Sequence, residues 1–228
     1  MMFMQAVVTH PRLERQRALF ALAAGQRGYF SAGQARGLGY AYQAQQHHRE
    51  AGNWLTVPDL RGVYRLRDYP DDALERLVQI SLWSANERNE PQGVIGFETA
   101  LMVYHLGGLL PDRVHLIVPR GFRKIPPTDV TLHAASALLT PLEPADVAAF
   151  EGFSVTTALR TLCDLAVSDL SLEHLEEAVR DAIQTGQLRR SSLEQRVSSL
   201  PARATERMRD ALERSARGRR PPVHSGAK

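Results

Sequence analysis

The stretch over residues 31–67, SAGQARGLGYAYQAQQHHREAGNWLTVPDLRGVYRLR, constrains the fold of this chain more than any other. Ser31 can cap a helix start. Ala32, Ala35 and Leu38 recur at helical spacing, and Gly37 and Gly39 break that helix around Leu38. Residues 42–51 form a second expected helix, closed by Gly52 and Asn53. Residues 54–57 and 62–66 are rich in aromatic and β-branched side chains, and the polar link 58–61 joins them as a hairpin. Helix, turn, helix and hairpin is the order of a winged helix-turn-helix, in which the second helix enters the major groove and the hairpin acts as a wing.

Around this stretch the chain reads as α+β: a winged helix-turn-helix over residues 11–70, a mixed α/β domain over 71–217 that ends in helices, and a disordered basic tail over 218–228. Pro11 opens a helix over 12–24, after which Tyr29 and Phe30 are expected to seat the second helix on the first. Asp71 or Asp72 can cap a helix over 73–86, and the apolar run over 93–107 reads mostly as a buried helix. Residues 114–118 are the clearest strand, followed by a basic loop and a second strand over 130–133. A short helix over 143–150, a strand over 153–156 and helices over 157–166, 172–185, 191–200 and 204–216 complete the expected order.

Charge divides the chain. Residues 1–70 carry nine arginines against four carboxylates, net +5; residues 71–200 are net −7, and residues 201–228 net +5. A basic first segment suits a polyanion, because each phosphate contact releases condensed counterions, whereas the acidic middle suits a different partner. The expected reading helix carries a single arginine and no lysine. Sequence reading then falls to glutamines, since Gln can bond adenine through two atoms, and electrostatic grip to Arg61 and Arg65 near the wing and to Arg12, Arg15 and Arg36. His47 and His48 read as packing histidines, since adjacent residues do not share a helix face.

Chemistry of other kinds is not signalled. No phosphate loop, dinucleotide fingerprint, H-E-x-x-H or G-x-S-x-G sequence occurs, and the expectation is no enzyme, no catalytic residue, no metal and no cofactor. Glu98, Asp112 and Asp129 stand in no catalytic spacing, and Arg160 and Asp164 read as an i,i+4 pair worth a few tenths of a kcal/mol where exposed. The one cysteine, Cys163, excludes an internal disulfide and reads as a small core residue. No apolar run reaches about 18 residues, so no membrane partner is expected. The apolar start lacks a basic head and a cleavage site, so a cytoplasmic location is expected.

Several phrases then line up in order: GYFSAGQARGLGY (28–40), AGNW (51–54), RGVYRLRDYP (61–70), ETAL (98–101), LLPDRVHLIVPRGFRK (109–124) and VTTALRTLCDLA (155–166). Together they resemble the AbiEi family, the antitoxins of type IV toxin–antitoxin (abortive-infection) systems. The resemblance implies a transcriptional regulator that represses its own operon at inverted repeats in double-stranded DNA, and a second domain that counteracts a nucleotidyltransferase-like toxin. It carries Ser31, Gln34, Tyr42, Gln43, Gln46, Arg61 and Arg65 as expected DNA contacts, to which the helical phase adds Arg49 on the outer face of the second helix with Tyr42, Gln43 and Gln46, and Arg120, Arg123 and Lys124 as expected antitoxicity residues. Two positions depart from it: Ala41 stands where a capping serine is expected, and Phe97 where a histidine is. The alternatives are a nucleic-acid-processing enzyme, with Glu98, Asp112 and Asp129 converging on a metal, and a transcription factor with a ligand pocket within 71–200.

Overall fold

Pro11 has no amide hydrogen to leave unsatisfied and starts α1 (Pro11–Ala24). A turn through Arg27 and Gly28, at φ 52° and 86°, leads into β1 (Tyr29–Ser31). There follow α2 (Ala32–Gly37), α3 (Tyr42–Glu50), β2 (Trp54–Thr56) and β3 (Val63–Leu66). The three strands form an antiparallel sheet in the order β1-β3-β2, with Phe30 and Thr56 both opposite Tyr64. This is a winged helix-turn-helix, and the fold class is α+β. The computed structural model describes residues 11–135, 138 and 140–217; the tail expected to be disordered lies outside them.

Aromatic side chains build the core of this unit. Phe30 meets Trp54 edge-on at 4.9 Å between centroids, and Tyr40 meets the same indole at 5.2 Å. Leu19 and Ala23 of α1 and Ala35 of α2 close the cluster. Tyr29 and Phe30 therefore have the packing role expected of them, but as part of a strand that the sequence reading did not include.

The expected boundary at 70/71 falls inside this first unit. Tyr29 Oη donates to Glu75 Oε2 at 2.9 Å, Arg65 pairs with Asp71 at 2.6 Å and Arg27 with Asp72. These contacts hold α4 (Glu75–Trp83) against β1 and β3. The compact unit continues to Gly93 and takes in Ala149–Phe153.

Most of a five-stranded sheet, in the order β6-β5-β4-β8-β7, lies in the second unit. Its strands are β4 (Val94–Ile95), β5 (Val114–Val118), β6 (Val130–Ala134), β7 (Val147–Phe150) and β8 (Phe153–Thr156). β5 and β6 run parallel, which needs a connection long enough to carry the chain back to the same end; the basic loop after Val118 is that connection. β4 lies antiparallel to β5 and parallel to β8.

Two expected helices are corrected here. The run over 93–107 yields only α5 (Phe97–Tyr104), because Val94 and Ile95 pair in the sheet and Gly96 resets the backbone at the helix start. The helix expected over 143–150 is a 3-10 turn at Pro144–Asp146, after which β-favouring Val147 and Phe150 belong to β7.

The remaining helices are α6 (Ala158–Leu165), α7 (Leu172–Gln184), α8 (Arg190–Val197) and α9 (Ala202–Arg217). Leu175, Ala178, Val179 and Ala182 form one buried stripe on α7, and Ala204, Met208, Ala211 and Leu212 one on α9. These two helices pack extensively on each other. Cys163 lies in the same core, its thiol pushed up to about 11 by burial, and stays an inert packing residue. No helix among the described residues is long and apolar enough to cross a membrane.

Candidate nucleic-acid interface

The nine residues of α3 contain little that is apolar, yet the helix is firmly held. Gln45, 6% exposed, is the reason. Its Nε2 donates to the Tyr40 carbonyl at 2.8 Å and to the Ala32 carbonyl at 3.1 Å, tying α3 to the start of α2 and to the turn between the helices. On one flank the His48 ring stacks on Trp54 at 4.8 Å with 9° between planes. Burial, with the nearby charges of His47 and Arg12, pushes His48 below the usual histidine range. Ala41 makes no side-chain cap, as its methyl group requires.

With Gln45 turned inward, Tyr42, Gln43, Gln46 and His47 are exposed, Tyr42 at 74%. Gln46 Nε2 donates to Glu50 Oε1 at 2.7 Å, which holds its amide along the exposed face. Arg49 departs from the expected outer position. It is half-buried, with its guanidinium 5.8 Å from the centroid of the Tyr64 ring.

Ser31 and Gln34 are not presented to a partner. Ser31 Oγ accepts from the Gln34 amide at 3.0 Å, Gln34 Oε1 accepts from the Ser31 amide at 2.8 Å, and Gln34 exchanges two further hydrogen bonds with Gln26. This is a capping box with every amide group of Gln34 occupied. The helix start expected at Ser31 is thus present, but its polar groups face inward.

The wing between β2 and β3 is folded around Leu60, 1% exposed, and turns at Gly62 with φ 82°. Arg61 beside it is exposed. Asp59 accepts from Arg76 of α4 at 3.2 Å, which ties the wing down on one side. Arg65 differs from expectation: it pairs with Asp71, donates to the Tyr69 carbonyl and lies 5.9 Å from the Tyr29 ring centroid. Arg12, Arg15, Arg17 and Arg36 are exposed. The surface able to meet nucleic acid is therefore Tyr42, Gln43 and Gln46 on α3, Arg61 at the wing, and the arginines of α1 and α2.

In the second unit Arg120, Arg123 and Lys124 are all exposed on the loop between β5 and β6. A separate polar cluster joins α5 to the same two strands. His115 Nδ1 lies 3.2 Å from Glu98 Oε2 and 3.1 Å from His133 Nε2, and Phe97 stacks on His133 at 4.0 Å. Phe97 sits at φ 53°, an unfavourable setting for a bulky side chain. Burial, helped by His115, pushes His133 down to about 4. Burial also lowers His115, against the pull of Glu98. No three His, Cys, Asp or Glu side chains among the described residues form a group able to hold a metal ion, so Glu98, Asp112 and Asp129 do not converge in that way.

Arg160 makes the expected i,i+4 pair with Asp164, but from an enclosed position. It is 1% exposed, not a surface partner. Its Nε donates to both Asp164 oxygens at 3.0 and 2.9 Å, Nη1 to Asp146 Oδ2 and the Pro141 carbonyl at 2.9 Å, and Nη2 to the Thr140 carbonyl at 2.9 Å. Burial alone disfavours its charge, but Asp164 and Asp146 outweigh that and raise its pKa. This is the scaffold that fixes the loop before β7 to α6.

No family model matches the chain, and no curated protein does. Among solved structures it is similar to the crystal structure of the RV2827C protein from Mycobacterium tuberculosis. That match has a TM-score of 0.55 and 16% identity over 89% of this chain and 78% of the other. At this identity the likeness speaks for the fold alone.

Proposed function

We propose that this chain is a non-enzymatic, cytoplasmic DNA-binding transcriptional regulator of the antitoxin type. It represses its own operon through the winged helix and counteracts a nucleotidyltransferase-like toxin through the second unit. The observation that carries the DNA-binding half is the outward display of Tyr42, Gln43 and Gln46 on a helix pinned from behind by Gln45, with Arg61 exposed on the wing. Glutamine amides read adenine edges in the major groove, and arginines hold the phosphates that set the register. The antitoxin half rests on the AbiEi resemblance and on the exposure of Arg120, Arg123 and Lys124.

The test is operator binding over a salt series on the upstream promoter. Affinity falls steeply with salt, and Arg61→Ala weakens binding to every sequence while reducing the salt slope by about 1. Gln46→Ala instead relaxes preference at one base position, at about 1–3 kcal/mol of discrimination. A flat salt response overturns the DNA-binding reading. Co-expression with the product of the neighbouring gene tests the second half: rescue of growth by the wild type, lost on replacing Arg120, Arg123 and Lys124 with alanine, is the expected result.

A further inference from the structure

Along the flank of α3 that carries Ala44, His47 and His48, a groove of about 620 Å³ opens within the first unit. That volume belongs to sites for drug-sized molecules. Its lining combines two features. Tyr40 and Trp54 lie beneath it, buried at 7% and 3% with His48 stacked on Trp54, and Phe20, 59% exposed, offers the uncovered ring at its side. Three arginines, Arg12, Arg15 and Arg67, line it against one carboxylate, Asp68, and none of the three is ion-paired with a described residue.

Two of these arginines are seated by glycines. Arg15 Nη1 donates to the Gly39 carbonyl at 3.0 Å, and a Cβ on Gly39, at φ 87°, would stand 3.2 Å from Arg15 Cδ. A Cβ on Gly52, at φ 66°, would stand 2.0 Å from Arg67 Nη2. Left-handed glycines at the turns before and after α3 thus leave room for guanidinium groups in a groove that also carries an uncovered aromatic ring. Arginine is the side chain that recognises phosphate oxygens bidentately and also stacks on flat rings.

We propose that this groove binds a nucleoside monophosphate, with the base on the Phe20 ring and the phosphate held by Arg12, Arg15 and Arg67. A net excess of positive charge suits a phosphate dianion, and the volume suits a base, sugar and phosphate together. The site stands apart from the DNA-binding reading. Only one consequence rests on that reading: Arg12 and Arg15 also face the duplex, so nucleotide and operator compete.

Isothermal titration of the full chain with AMP, GMP and UMP, without DNA, tests the site. Saturable binding is expected, at least about tenfold tighter than adenosine or inorganic phosphate alone. Phe20→Ala and Arg67→Ala each weaken it by about tenfold or more with the melting temperature unchanged, since both side chains are exposed. Absence of saturation at millimolar nucleotide, wild-type affinity in both variants, or equally tight binding of salicylate overturns the proposal. A separate operator titration with and without nucleotide reads the competition, and its failure leaves the binding result standing.

Discussion

Helices α3 and α6 have similar lengths and opposite relations to their polar residues. In α3 the polar side chains Gln43 and Gln46 face solvent, and a single buried glutamine, Gln45, anchors the helix. In α6 every residue but Leu159 is buried, Arg160 and Asp164 included, at 1% and 2% exposure. A helix held at one point by hydrogen bonds leaves the rest of its surface free for a partner. A helix enclosed on all sides must satisfy each of its polar groups internally, and its charges then serve the fold.

The contrast can be broken by substitution. Arg160→Met strands the Asp164 and Asp146 carboxylates and is expected to cost about 3–5 kcal/mol in denaturant unfolding. Exchanging Arg160 and Asp164 together for apolar residues recovers a large part of this. A loss below about 1 kcal/mol for Arg160→Met would put α6 on the same footing as α3. Next in size, Gln45→Leu leaves the Tyr40 and Ala32 carbonyls without their donor and costs about 1–3 kcal/mol.

The His115–His133 pair gives a pH signature. The folded pKa of His133 is depressed to about 4 from an ordinary 6.5. Between those values the unfolded chain binds a proton that the folded chain does not. Stability is fully present above pH 6.5 and is lost as pH falls toward 4, by about 1–3 kcal/mol. His133→Gln flattens this slope in chemical denaturation measured at each pH. Smallest is Gln46→Ala, expected within about 0.5 kcal/mol of wild type in stability. Under the proposed function its effect falls on DNA preference, and a larger stability loss would mean that Gln46 shares the structural work of Gln45.

The sequence made the larger helices, the hairpin and the β5–β6 pair legible, since each repeats a period or sits between turn residues. β1 and β4 escaped because two or three residues cannot display alternation and their partners lie far away in the chain, whereas β7, next to its neighbour β8, was hidden in a run read as a helix. The site was partly legible. Tyr42, Gln43, Gln46 and Arg61 are exposed as the helical phase and the wing imply, but Gln45 differs from Gln46 in nothing except rotation about the helix axis. Arg65 and Arg49 could be placed only once the acids after Tyr69 and the Tyr64 ring were seen beside them. For Arg160 no signal was present: apolar residues at 159, 162, 163, 165 and 166 share one face of the helix and Arg160 and Asp164 lie on the other, which is the pattern of a half-exposed amphipathic helix.

The short strand β1 has a mechanical consequence. Ser31 is at once the last residue of β1, opposite Val63 of the wing strand, and the cap of α2, and the next amide, Ala32, donates to the Gly62 carbonyl at 2.8 Å. Wing base and helix start are thus one rigid joint. A load on the wing is delivered directly to α2 and, through Gln45, to α3. In amide exchange, the backbone protons of Ala32, Gln34 and the wing base should open together, as one lever and not as three separate parts.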